Sequence, residues 1–166
     1  MSNNNNNNNS SSSNKAFFKI LVAIDGSEQS LQAAEYAIDI AINQKTNVEM
    51  IAITVIELAK LNLSTFIAAP TYGLEDLEEK RKQTKQWLNK IGKLVQDKGK
   101  NIEFKSEILE NPTFKVSSLI IKYAENENVN LIIVGNRGRQ GFKRLLLGSV
   151  ASDIVTYAPC PVLVVK

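Results

Sequence analysis

From Lys15 onward, short and strongly apolar β-rich runs alternate with amphipathic helical stripes. Residues 17–24 are nearly all apolar, as expected of a strand covered on both faces. Asp25-Gly26-Ser27 breaks that run. Leu31, Ala34, Ile38, Ala41 and Ile42 then recur at helical spacing, with Ser27 as N-cap. Residues 48–55 form a second strand, and residues 56–73 read as irregular, with Pro70 and Gly73 as breakers. Leu74, Leu77, Thr84, Leu88, Ile91 and Val95 mark one stripe of a polar helix that Gly99 closes. Residues 102–109 alternate apolar and polar, the pattern of an edge strand. Asn111-Pro112 predicts a helix start, followed by a buried stripe of Val116, Leu119, Ile120 and Tyr123. Residues 130–134 make a fourth strand. Val150, Ile154, Val155 and Ala158 mark a last helix, Pro159-Cys160-Pro161 stops it, and residues 162–165 are a final strand.

Five strands alternating with four helices imply α/β architecture: a doubly wound, five-stranded parallel sheet with right-handed crossovers and helices on both faces. Ligands in such sheets sit outside the carboxyl ends of the strands, where the strand order reverses. If the first and fourth strands are central neighbours, Asp25 and Gly135 meet in that crevice. Periodicity alone does not reveal the order.

Composition narrows the chemistry. A hydrophobic share of 43% supports a full core without disulfides, and a net charge of +3 argues against a dedicated nucleic-acid binder. The absence of histidine removes the commonest general base and the commonest metal ligand. The single cysteine, Cys160, excludes a disulfide framework and reads as a small core residue in a reducing compartment. No apolar run approaches the roughly 20 residues of a membrane span. Residues 1–14, dominated by seven consecutive asparagines and four serines, lack the features of a signal or transit peptide and read as a disordered tail. Residues 15–166 then form one domain.

Function concentrates in Gly135-Asn136-Arg137-Gly138, followed after nine residues by Gly148-Ser149. A strand feeding a glycine-punctuated loop that opens a helix suits phosphate: glycines permit close backbone approach, and a helix N-terminus offers N–H groups and a positive dipole end. Arg137, Arg139, Lys143 and Arg144 add positive charge, and no acidic residue lies between Gly135 and Ser149. The plain alternative is a basic surface loop with glycines for its turns. The loop is neither a Walker A motif, lacking the lysine before Ser149, nor a Gly-x-Gly-x-x-Gly fingerprint. Asp25 either binds Mg²⁺ or a ribose hydroxyl, or simply turns the chain into the helix. Val55 either faces a flat heterocycle or packs in the core. Trp87 reads as packing.

The Gly135-x-x-Gly138 and Gly148-Ser149 pattern resembles the ATP-binding signature of the universal stress protein family. Residues 20–27, 141–151 and 159–165 resemble that family's opening strand and turn, its loop-to-helix passage and its ending. The resemblance covers residues 15–166. It implies an adenine nucleotide alpha hydrolase-like fold with strand order 3-2-1-4-5. It also implies an ATP site, with Mg²⁺, built from Ala23, Ile24, Asp25, Val55, Val134, Gly135, Arg137, Gly138, Gly148, Ser149 and Val150. A cytoplasmic, nucleotide-dependent stress regulator or adaptor follows as the expectation, homodimeric through its C-terminal strand and without nucleic-acid or membrane partners. A slow ATP hydrolase and a dimerising module that uses no nucleotide are the alternatives.

Overall fold

The computed structural model describes residues 18–58, 70–99, 101–111, 114–138 and 147–166. The asparagine–serine tail and Arg139, Gly141, Lys143 and Arg144 lie outside the described residues. Five strands, β1 (Phe18–Ala23), β2 (Val48–Glu57), β3 (Ile102–Asn111), β4 (Leu131–Gly135) and β5 (Val162–Val165), form one parallel sheet in the order β3-β2-β1-β4-β5. Among the described residues four helices connect them: α1 (Glu28–Ile42), α2 (Pro70–Lys98), α3 (Val116–Asn126) and α4 (Ser149–Tyr157).

The central strands carry continuous apolar runs because both of their faces are covered. Ile20, Val22, Val48, Met50 and Ala52 face α1 and α2, packing with Ala34, Ile38, Leu88 and Ile91. Leu21, Ile51, Ile53 and Ile132 face α3 and α4, packing with Ile120, Ala124 and Ile154. Each such large side chain contributes about 1.5–3 kcal/mol relative to exposure. That gain ties register to the apolar pattern, since a one-residue slip would turn every one of them to the wrong face. β3 has the alternating pattern of an edge and lies at one.

Ser27 caps α1 as its residue type predicts, its Oγ accepting from the Ser30 N–H at 3.2 Å. α2 starts earlier than its apolar stripe suggests. Pro70 is its first residue and Gly73 lies inside it, so neither breaks the chain; proline fits a first helical turn, where its missing N–H costs nothing. The helix predicted from Asn111-Pro112 begins instead at Val116, with Lys115 at the cap position and no side-chain cap. Asn111 is the last residue of β3, paired with Glu57, because the β2–β3 ladder runs further than the local capping signal allowed. Ile42, Leu74 and Val155, placed on apolar helical stripes by their spacing, are exposed. Helical spacing places a residue near a face but does not fix how far the core reaches.

Two features sit away from the cleft end of the sheet. Asn128 adopts φ 53°, and the N–H groups of Asn128 and Val129 return to the carbonyls of Glu125 (3.2 Å) and Ala124 (2.9 Å). This left-handed close stops α3 with its last carbonyls satisfied. The nearly buried Glu49 of β2 pairs with Lys105 of β3 at 3.1 Å and with Lys19 of β1 at 3.9 Å. The bond to Glu49 is the main cause that raises the Lys105 pKa. Lys19 continues to Glu127, donating to its carbonyl oxygen at 2.9 Å.

Candidate functional site

β1 crosses over to β2 on one side and pairs with β4 on the other, so the chain reverses direction across the sheet between β1 and β4. A cleft of about 850 Å³ opens there, outside the carboxyl ends of the strands. Ala23, Ile24 and Asp25 enter it from the end of β1, Val55 from β2, and Val134 and Gly135 from β4. Arg137 and Gly138 come from the loop that follows, and Gly148, Ser149 and Val150 from the start of α4. All eleven residues singled out in the sequence thus line one cavity, of a size typical for small-molecule sites.

The floor is organised around Asp25. Its Oδ1 accepts from the Ser27 N–H at 3.0 Å and from the Ser27 hydroxyl at 2.6 Å. The Asp25 N–H donates to Ser30 Oγ at 3.3 Å, and that hydroxyl in turn donates to the Ser27 carbonyl at 2.9 Å. The strand therefore passes into α1 through a closed set of hydrogen bonds that fixes the carboxylate within the cleft. The turn reading and the ligand reading of Asp25 are compatible: the same side chain shapes the turn and lines the cavity.

The glycines serve different ends. A Cβ on Gly135 would lie 2.9 Å from the Gln29 carbonyl carbon and 3.0 Å from the Ser30 nitrogen, so its bareness lets α1 pack on β4. Gly135 belongs to β4 rather than to the loop. A Cβ on Gly138 would lie 2.6 Å from Asp25 Oδ2. The Gly148 N–H donates to the Asn136 carbonyl at 2.7 Å, and the Asn136 N–H to the Val165 carbonyl at 2.6 Å, so the loop is pinched shut at its base. The Gly148 amide is thereby committed. The next amides, at Ser149, Val150 and Ala151, open α4, which has no side-chain cap. Those first-turn N–H groups lack helical partners and point toward the N-terminal side. Arg137 is half-buried, and its buried Nε has no hydrogen-bond partner among the described residues. An uncapped helix start with an arginine lining the same cleft is suited to a phosphate or another anion.

The sequence reading missed the far wall. Lys80, Gln83, Thr84 and Trp87 of α2 face the cavity, as do Ser30 of α1, Thr54, Ile56 and Glu57 of β2, and Val116 and Ile120 of α3. The spacing of three and four residues along α2 was a signal for a shared face. Nothing local says that this face overhangs the ends of β1 and β2. Among the described residues, Asp25 and Glu57 are the carboxylates that line the cleft. Among the described residues no cluster of three or more histidine, cysteine or acidic side chains could hold a metal by itself. A magnesium ion fits here only as one carried by phosphates and held by one or two carboxylates, which is its usual mode.

A doubly wound parallel sheet with a cleft at its switch point and a glycine loop before an uncapped helix defines a class of small-ligand α/β proteins. The family model of the universal stress protein family matches residues 16–166, and the chain belongs to that family. A universal stress protein of Methanocaldococcus jannaschii is 35% identical over 150 residues, covering 89% of this chain and 81% of the relative. The solved structure of protein MJ0577 from the same archaeon matches with a TM-score of 0.77 at 27% identity, covering 90% of this chain and 96% of the other. A family protein of Arabidopsis thaliana, solved with AMP bound, shares the fold with a TM-score of 0.61 at 15% identity, over 89% of this chain and 90% of the other.

Proposed function

We propose that this chain binds an adenine nucleotide in the cleft, in the form of ATP with Mg²⁺, and acts as a nucleotide-dependent regulator or adaptor in the stress response. One observation carries the reading: the eleven sequence-selected residues converge on a single cavity, one end of which is the uncapped start of α4. Gly138, bare beside Asp25, and Gly148 let the loop and the start of α4 close on the cleft, and Arg137 and Ser149 offer donors to the phosphates. Ala23, Ile24 and Val55 give an apolar wall for a base, and Asp25 faces the ribose or the metal-bearing phosphates. The AMP complex of the Arabidopsis relative supports the reading at the level of fold analogy.

Dimerisation is proposed through β5, which pairs with β4 along one edge and ends the strand order on its other side. A free edge of backbone N–H and C=O groups is a ready template for a second copy. No helix among the described residues is long and apolar enough to cross a membrane; a cytoplasmic location is part of the proposal.

The decisive experiment is to denature the purified protein and identify any released nucleotide by mass, alongside calorimetry with Mg-ATP. Stoichiometric adenine nucleotide, unchanged after long incubation, supports a binder. Conversion to diphosphate during incubation favours the slow hydrolase. Neither released nucleotide nor a heat of binding would overturn the reading. Sedimentation at micromolar concentration tests the dimer, which a purely monomeric mass would exclude.

A further inference from the structure

We infer that Trp87 is a positioning residue of this site, acting on the ligand through the Asp25-Gly26-Ser27 turn; the inference rests on the nucleotide reading above. Trp87 is the single tryptophan of the chain, carried on α2 and packed against the core that α1 and α2 share. It also lines the cleft. Its indole bears directly on Gly26. A Cβ at Gly26 would lie 2.6 Å from Cη2 and nearer still to Cζ2 and Cε2 of the ring. Gly26 is also the one described glycine with a left-handed backbone, φ +79°. Both demands, conformation and space, admit only glycine there.

The turn that the ring presses on is the one that aims Asp25. Gly26 separates Asp25 from Ser27, and the two are bonded to each other through Asp25 Oδ1. The other carboxylate oxygen, Oδ2, lies against Gly138 of the loop after β4. A continuous line of contact thus runs from α2 through the indole and the bare Cα of Gly26 to the carboxylate and the phosphate loop. An indole is a large, rigid plane, so it holds its neighbour more narrowly than a smaller aliphatic side chain would. Functional groups need such packed support to stay within fractions of an ångström of their working position. Were Trp87 packing alone, its removal would lower stability and leave ligand affinity and its dependence on Asp25 untouched.

The test is a double-mutant cycle on the full chain, with Mg-ATP affinity from calorimetry and melting temperature recorded for each variant. Trp87→Leu is expected to weaken binding about tenfold, within the range for residues coupled through a shared network. On an Asp25→Asn background the same substitution is expected to cause no further loss. Trp87→Phe, which keeps a flat ring over Gly26, is expected to recover most of the affinity. Unchanged affinity in Trp87→Leu, or losses that multiply with Asp25→Asn, would overturn the inference. If Trp87→Leu melts below the assay temperature, Trp87→Phe carries the cycle, with a smaller loss that again must vanish on the Asp25→Asn background. Failure of the unaltered chain to bind Mg-ATP overturns the nucleotide reading itself; normal binding with multiplying losses overturns the role of Trp87 alone.

Discussion

Oδ2 of Asp25 stands where a side chain on Gly138 would begin: a methyl group at Gly138 would lie 2.6 Å from that oxygen. The end of β1 and the loop after β4 are closed against each other at this point. Gly138 has no left-handed φ, so glycine is there for space and not for backbone conformation. The distinction decides what substitution does.

Because the obstructing atom is the tip of a carboxylate, Gly138→Ala is expected to push Asp25 aside and leave the fold intact. Melting should stay near that of the unaltered chain, while Mg-ATP affinity by calorimetry falls by about tenfold. Gly138→Val should abolish measurable binding. Unchanged affinity in Gly138→Val would remove the loop from the site.

Gly135 behaves oppositely. Its missing Cβ faces the backbone of Gln29 and Ser30, which cannot rotate away. Gly135→Ala is expected to cost about 1–3 kcal/mol, the usual penalty of overpacking. Gly148→Ala, whose nearest obstruction would be 3.4 Å away, should change stability by less than about 0.5 kcal/mol. Denaturant midpoints of the two variants give the comparison, and equal midpoints would mean that α1 yields.

Tyr123 of α3 predicts a stability loss in alkali. Burial first, then the carboxylates of Glu107, Glu127 and Glu49, raise its phenol from 10.0 to about 12. The folded chain therefore keeps this proton in a window, between pH 10 and about 12, where the unfolded chain has lost it. Its contribution is whole below pH 10 and disappears as pH rises through that window. Over pH 9 to 12 the denaturation midpoint of the unaltered chain should fall more steeply than that of Tyr123→Phe. Parallel slopes would show that Tyr123 titrates like an exposed tyrosine.

Asn128 closes α3 in the left-handed region, where a Cβ is costly and Asn is tolerated better than most residues. Asn128→Gly is expected to raise stability by up to about 1 kcal/mol, and Asn128→Val to lower it by about 1–2 kcal/mol. Thermal unfolding checks both. A neutral Asn128→Val would mean that the turn can re-form with an ordinary backbone.

Much of this was open to reading from residues alone. Continuous apolar runs in β1 and β4 and the alternation in β3 told central strands from an edge one, because burial on two faces or one leaves different patterns. Ser27 announced the start of α1, since its hydroxyl meets a local demand of the helix. Where the reading slipped, a longer-range contact outweighed a local preference. Asn111-Pro112 carries a helix-start signal, yet the ladder to β2 keeps Asn111 extended. Asn128, with no glycine to mark it, hid the close of α3.

The candidate site divides in the same way. Its loop side draws on Gly135, Arg137, Gly138, Gly148 and Ser149, interpretable because strand, glycine loop and helix start follow one another along the chain. Its far side, Lys80, Gln83, Thr84 and Trp87, comes from a helix separated in sequence from every other part of the cleft.

By itself the sequence determined the elements, the parallel α/β class and the glycine pattern that marks the family, because these depend on periodicity and on neighbours in the chain. Only the tertiary structure decided that Gly135 serves packing while Gly138 makes room beside Asp25, and that Trp87 bears on Gly26. Those facts are distances between segments remote in sequence, set by how the helices cross the sheet, and no local pattern encodes them.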